Sequence, residues 1–216
     1  MVCNAGINWD GVIWKMSEQQ WDQVINVNLK GYFNYNKAAA MVFKDRKGGK
    51  IVNISSINGM RGKFAQANYA ASKGGEIAMS KSLAKELGKF NVNVNVVAPG
   101  LVMTDMARNM PPEALNKSMS ETVVGRIATP EECADLVVFL ASPAAGYVTG
   151  ETVYVDGGAR LWGAPWPIPD PPPEEGDGSR GCGGAGSPSA APRSGATTGS
   201  SVPSATTWMG RLKRLA

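Results

Sequence analysis

The segment NYAASK, residues 68–73, sets Tyr69 and Lys73 four positions apart in a chain of 216 residues that contains no histidine. On a helix, residues i and i+4 lie one above the other, so this spacing puts a phenol and an ammonium on one face. A free phenol ionises near 10, too high for ready proton exchange at neutral pH. An ammonium about 4 Å away, at an effective dielectric near 20, favours the phenolate by roughly 4 kcal/mol, or about three pKa units, while desolvation opposes it. The pair is therefore expected to bring Tyr69 into the range of acid-base work without a histidine. Two more side chains could join it: Ser56, which ends the run NISS, and Asn28, on a predicted helix. Taken singly, each has an ordinary reading. A Tyr-x-x-x-Lys pair is usually a surface pair, a serine past a strand is usually a turn residue, and a helical asparagine is usually solvated or bonded to backbone.

The elements that must position these residues alternate in type. Ser17 and Gln20 have capping-box spacing, and Trp21, Val24, Ile25, Leu29, Tyr32 and Phe33 then recur at helical intervals, predicting one long amphipathic helix over 17–45. After Gly48-Gly49, KIVNIS predicts a short buried strand at 50–55. Residues 68–89 are rich in alanine, leucine and lysine and free of proline, predicting a second long helix. VNVNVV at 92–97 alternates apolar and polar residues as a strand does, stopping at Pro99-Gly100. The irregular stretch 105–125 is expected to be a mobile loop with a short helix. Thr129, Pro130 and Glu132 then predict a helix start, with the helix reaching about Ala141 and LVVFLA suited to its buried face. TVYVDGG at 152–158 predicts a last strand. Such alternation argues for an α/β fold with a parallel sheet covered on both faces.

Composition narrows the function classes. The net charge of +4 is spread among offsetting acids, which does not suggest nucleic-acid binding. Cys3, Cys133 and Cys182 are odd in number and far apart, which argues against a disulfide framework or a structural metal and for a reducing compartment. No apolar run approaches membrane-spanning length, and MVCNAG lacks the pattern of a secretory signal, so a soluble, cytoplasmic protein is expected. Nine of the 14 prolines and 10 of the 26 glycines fall in residues 161–216. This stretch, with PWPIPDPPP and three tryptophans, is expected to be a disordered tail after a domain at 1–160.

CNAGI at 3–7, NVNLKGYF at 26–33, NISS at 53–56, YAASK at 69–73, NVVAPGLVMTDM at 95–106 and VDGG at 155–158 occur in one order. Together, over residues 1–160, they resemble the short-chain dehydrogenase/reductase family, most closely its 3-oxoacyl-[acyl-carrier-protein] reductase branch. The resemblance implies a Rossmann-type doubly wound parallel sheet and hydride transfer between a nicotinamide cofactor, NADP ahead of NAD, and a carbonyl or hydroxyl substrate. Tyr69 matches the family's catalytic acid or base, and Lys73 the lysine that lowers its pKa and binds the nicotinamide ribose. Ser56, rather than Ser55, matches the serine that orients the carbonyl, and Asn28 the asparagine that supports a proton-relay water. Asn4, Ala5 and Gly6 would lie against the cofactor, with Pro99, Gly100, Val102 and Thr104 on the nicotinamide side. The implied substrate is a small molecule or an acyl thioester, with an acyl carrier protein as a partner. Lys47, Arg61, Lys63 and Lys89 could meet that acidic partner, though ordinary surface lysines are the commoner case. Tetramers or dimers assembled through the two long helices are implied as well.

The family's glycine-rich TGxxxGxG turn, where a pyrophosphate meets a helix N-terminus, does not occur in this sequence. On the order of 80 residues of the family pattern, three strand-helix repeats of about 30 each, are thus expected to be missing before NAG. The strand ending at Cys3 would then be an exposed edge, and the chain unstable or associated. That deficit suggests an alternative function: a catalytically inactive member that acts through its oligomerisation surface.

Overall fold

Short runs of β-branched residues form the sheet of the computed structural model, which describes residues 1–161. The strands are β1 (Val2–Cys3), β2 (Gly49–Ile54), β3 (Val92–Pro99) and β4 (Thr152–Val155), all parallel and in the order β1-β2-β3-β4. Val2 pairs with Val52, Ile51 with Val94 and Val97 with Val153, so β1 and β4 lie at the edges among the described residues. Parallel neighbours need long crossovers, and helices supply them. Helix α1 (Glu18–Val24), a π-helical stretch (Ile25–Lys30) and α2 (Gly31–Arg46) join β1 to β2. The short α3 (Asn58–Arg61) and the long α4 (Ala67–Leu87) join β2 to β3. Then α5 (Asp105–Arg108), α6 (Pro112–Ser120) and α7 (Pro130–Ala141) lead to β4.

The helices divide between the two sheet faces, as the doubly wound expectation requires. On one face Ile51, Val92 and Val94 pack under Ala84 and Leu87 of α4 and Ala39, Ala40 and Phe43 of α2. On the other, Val52 and Val97 pack under Leu140, with Leu136 and Val137 beside it on α7. Each such buried aliphatic side chain contributes about 2 kcal/mol. Both predicted capping boxes form. Ser17 Oγ accepts from the Gln20 amide while Gln20 Oε1 accepts from the Ser17 amide, and Thr129 and Glu132 do the same at α7.

Several sequence expectations need correction. The predicted helix over 17–45 is interrupted: its middle turn is π-helical, and Trp21 and Phe33 of the apolar stripe are exposed. An extra residue in one turn rotates every later turn by about 100°, so the stripe cannot face inward throughout. In VNVNVV the polar members are buried too, as a sheet covered on both faces requires. Asn93 and Asn95 are buried, donating to the carbonyls of Gly146 and Val148 and so pinning the chain between α7 and β4. The run LVVFLA has its expected buried face, centred on Leu140, while Val138 and Phe139 on the other side are 67% and 45% exposed. Region 105–125 carries two helices, α6 being started by Pro112 at its first position. The last strand ends at Val155 rather than 158, because Gly157 and Gly158 turn at φ of 57° and 82° with Asp156 accepting from the Gly158 amide. Cys3 and Cys133 are free thiols, and no cluster of metal-ligating residues occurs among the described residues. The tail expected over 161–216, apart from Leu161, lies outside the described residues.

One close approach fixes α3 against α4. A Cβ on Gly59 would lie 2.6 Å from the Lys73 carbonyl carbon and 2.7 Å from the Gly74 nitrogen. Gly59→Ala is accordingly expected to lower stability by about 2 kcal/mol, since both neighbours are backbone and cannot swing away. Urea denaturation of the two proteins checks this, and an unchanged midpoint would mean that the two helices do not need that contact.

Candidate active site

The carboxyl ends of β1, β2 and β3 bring the predicted residues toward one place, where open parallel sheets bind ligands. Asn4, Ala5 and Gly6 follow β1 and are exposed. Ser55 and Ser56 follow β2, and the Ile57 amide donates 3.0 Å to the carbonyl of Pro99, which ties the end of β2 to that of β3. Ser55 Oγ donates 2.8 Å to the Lys73 carbonyl, so this hydroxyl is committed to holding β2 against α4. Ser56 Oγ accepts 3.2 Å from the Asn58 amide, and its hydroxyl stands beside the Tyr69 phenol.

Asn28 is fully buried in the π-helical stretch. Its Oδ1 accepts from the Ile7 amide at 2.9 Å, and its Nδ2 donates to the Ile7 carbonyl at 2.9 Å and to Ser72 Oγ at 3.0 Å. Ser72 Oγ in turn donates 2.7 Å to the Tyr69 carbonyl. The three Asn28 bonds hold the segment after β1 against α4, so that a Cβ on Gly6 would stand 3.5 Å from Lys73 Nζ. Asn68 fixes the next stretch by donating to the carbonyls of Trp9 and Gln20.

Tyr69 and Lys73 share a face of α4 as expected, but their electrostatics differ from the expectation. Lys73 Nζ donates to Glu76 Oε1 at 2.9 Å, to Glu76 Oε2 at 3.2 Å and to the Ile54 carbonyl at 2.9 Å, and makes no hydrogen bond to the Tyr69 hydroxyl. It lies 5.8 Å from the Tyr69 ring centre and 5.1 Å from that of Tyr32. The Tyr69 phenol is pushed up rather than down. Burial is the main cause, Ser56 pulls the other way, and Glu76 and Asp10 add to the rise. Acidification by Lys73 is thus corrected: the ammonium is engaged by a carboxylate of the next helical turn. Burial pushes Glu76 itself up to about 8, against the downward pull of Lys73.

The remaining predicted residues divide. Pro99 and Gly100 border the group, Gly100 donating to the Val155 carbonyl. Val102 and Thr104 lie further along the loop, where Val102 bridges to Ala128 and Thr104 precedes α5, and their hydrogen bonds do not reach Tyr69 or Lys73. Sequence reasoning missed Glu76, Ser72 and Tyr32. Glu76 had a legible signal, an acid three residues after a lysine on an alanine-rich helix. Tyr32, whose hydroxyl donates 2.9 Å to the same Ile54 carbonyl, had none beyond its helical spacing.

Comparison with known proteins gives consistent matches. A family model described as enoyl-(acyl carrier protein) reductase matches residues 1–160. The chain is 46% identical over 158 residues to a 3-oxoacyl-[acyl-carrier-protein] reductase of Thermotoga maritima, covering 73% of this chain and 64% of that protein. It is 45% identical over 159 residues to an acetoacetyl-CoA reductase of Shinella zoogloeoides, covering 73% and 66%. The crystal structure of a 3-oxoacyl-[acyl-carrier protein] reductase from Brucella melitensis superposes with a TM-score of 0.72 at 35% identity, covering 74% of this chain and 62% of that one. The chain therefore spans 64–66% of the length of these curated relatives.

The raised Glu76 carboxyl carries a pH consequence. Its ordinary value is 4.5 and its folded value about 8, so between these the unfolded chain has released a proton that the folded chain retains. Glu76's contribution is therefore fully present below about pH 4.5 and is lost as pH rises through 8, with a slope of at most about 1.4 kcal/mol per pH unit. Urea titrations from pH 5 to 8 should show that decline, and the Lys73→Met, Glu76→Gln double variant should flatten it. An equal slope in both proteins would remove Glu76 as its source.

Proposed function

Because the chain belongs to the short-chain dehydrogenase/reductase family, we propose that it carries the reacting half of a nicotinamide-dependent reductase of 3-oxoacyl thioesters. The observation that carries this reading is the convergence of Ser56 and Tyr69 at the carboxyl end of β2, with Lys73 one turn behind and Gly6 against it. Gly6 is also what makes a cradle. A side chain there would fill the space that a ribose hydroxyl needs to reach the Lys73 ammonium. In this reading Asn4, Ala5 and Gly6 lie along the cofactor, Pro99, Gly100, Val102 and Thr104 line its nicotinamide side, and Lys73 holds the ribose. NADP is preferred to NAD on resemblance to the 3-oxoacyl-[acyl-carrier-protein] reductases alone.

The nicotinamide, when bound, supplies the hydride that goes to the substrate's carbonyl carbon. Charge then builds on the carbonyl oxygen, where Ser56 and Tyr69 act as hydrogen-bond donors. Tyr69 hands that oxygen its proton. A phenol pushed up by burial is fully protonated at neutral pH, so Tyr69 begins as an acid, which suits the reductive direction. Asn28 positions the segment beside Lys73 and supports the water that returns a proton toward Tyr69. The substrate class common to the relatives' names is a 3-oxoacyl thioester, on an acyl carrier protein or on coenzyme A. Reduction of the carrier-bound form in fatty-acid synthesis, in the cytoplasm, is the specific assignment we favour. Among the described residues no helix is long and apolar enough to cross a membrane.

Replacing Tyr69 by Phe removes the acid and keeps the ring. Turnover of a 3-oxoacyl thioester, followed by loss of reduced-cofactor absorbance, is expected to fall by at least about 100-fold with the fold intact. Near-normal turnover would defeat the assignment.

A second reading, an interaction protein without turnover, would rest on a surface that the reductase reading shares. A groove of about 400 Å³ runs between α2 and α4, lined by Phe33, Ala40, Met41, Met79 and Leu83, with Phe33 47% and Met41 63% exposed. We assign its occupant as a second copy of the chain, building a dimer or tetramer. In light scattering after size-exclusion chromatography, Met41→Glu is expected to convert the assembly to monomer, and an already monomeric parent chain would exclude it. Titration with reduced cofactor, read by its fluorescence, separates the two functions, since only the reductase binds it.

A further inference from the structure

Glu76 is the titratable group closest to the proposed reaction machinery that the proposed mechanism does not use. It is 0% exposed, and Lys73, 4% exposed, donates to both of its carboxyl oxygens and to the Ile54 carbonyl. We propose that Glu76 is a positioning residue: it holds the Lys73 ammonium on the Ile54 carbonyl, one turn beyond Tyr69, and thereby sets how acidic the Tyr69 hydroxyl is. The proposal deepens the reductase reading, because it assigns the control of that site's acid.

The geometry supplies the argument. An ammonium can acidify a phenol only to the extent that its charge is uncompensated. Here the compensating carboxylate is within hydrogen-bond distance, whereas the Tyr69 ring centre is 5.8 Å away. Once Glu76 is ionised, as pH rises through about 8, the pair seen from Tyr69 is close to a neutral dipole. A ribose hydroxyl taken up by Lys73 would have to compete with Glu76 for the same three ammonium protons. Where Glu76 is ionised, drawing Lys73 off it would uncover the ammonium charge beside Tyr69, so cofactor binding and acid strength become linked there.

The other groups that face this pair are few. From α4 itself there is Tyr69, from α2 Tyr32, and from β1 Cys3. The Tyr32 phenol and the Cys3 thiol are both pushed up, chiefly by burial and further by Glu76, so neither is charged near neutral pH. Asp10, in the loop before α1, faces Tyr69 and also raises it. No second ammonium faces Tyr69 within this group. Glu76 is therefore the acidic partner that balances Lys73 there.

Tyrosines labelled at Cζ in the full 216-residue chain, in buffer without nucleotide, report the Tyr69 ionisation by alkaline NMR titration, with Tyr69→Phe assigning its resonance. In the unaltered chain Tyr69 should ionise above a free tyrosine. In Glu76→Gln it should ionise at least about one pH unit lower than in the unaltered chain, and Glu76→Asp should restore most of the difference. The Lys73→Met, Glu76→Gln double variant leaves no unpaired buried charge, so it stays folded even where Glu76→Gln does not. Its Tyr69 should lie within about half a unit of the unaltered chain. A Tyr69 unmoved in a folded Glu76→Gln chain, or raised by a unit or more in the double variant, overturns the proposal. Failure of the reductase reading, seen as turnover that survives Tyr69→Phe, leaves these shifts untouched, so the two failures are distinguishable.

Discussion

Burying an ammonium costs several kcal/mol unless its protons are all met, and Lys73 lies under Tyr32 and Tyr69 with almost no contact with water. Much of the surrounding structure reads as the solution to that constraint. Glu76 meets two of its contacts and the Ile54 carbonyl meets a third. Ile54 can offer that carbonyl because the pairing of β2 with β1 stops one residue earlier, at Cys3 and Asn53, while Ser55 ties the chain to β3 through its amide and to the Lys73 backbone through its hydroxyl. Gly59 lets α3 approach α4 closely enough for this junction to form, and Gly74 reciprocates, with a Cβ there falling 2.9 Å from the Gly59 carbonyl oxygen. The cost of placing one cation thus dictates the packing of two helices and the end of a strand.

The alternation of helices and strands was legible because hydrophobic period and punctuation both survive in a single sequence. Ser17 and Thr129 announced their helices through capping boxes, and Pro99-Gly100 marked the end of β3. The π-helical turn was not legible, since nothing in INVNLK departs from helical patterning. Its cause is tertiary: Asn28 makes three hydrogen bonds to Ile7 and Ser72, which repay the irregular turn. The partners of the β3 asparagines were not legible for a related reason. Alternation marks a strand, but only the fold shows that the side-chain amides of Asn93 and Asn95 donate to the carbonyls of Gly146 and Val148.

At the candidate site, spacing gave the residues and not their energetics. Tyr69 and Lys73 had to share a face, and they do. Whether the lysine's charge acts on the tyrosine depends on what else reaches the lysine, and that is a three-dimensional fact. Placement of Ser56 was also only half legible, because NISS offers two hydroxyls in a row. Strand pleating points successive side chains to opposite sides, and the structure commits Ser55 to the Lys73 carbonyl while Ser56 stands beside the phenol.

A desolvated phenol beside a lysine held by Glu76 and the Ile54 carbonyl has a particular advantage for the proposed chemistry. An acid is useful here only if it holds its proton until charge develops on the acceptor, and a permanently acidified tyrosine would ionise before substrate arrived. Burial keeps Tyr69 protonated, and the same low-polarity surroundings strengthen its hydrogen bond to an oxygen that becomes negative. Stabilisation then grows along the reaction coordinate instead of being present beforehand, which is the condition for lowering a barrier rather than merely tightening binding. In such an arrangement the lysine's contribution depends on whether its Glu76 partner is ionised and in place, so the buried pair stands behind the acid as its control.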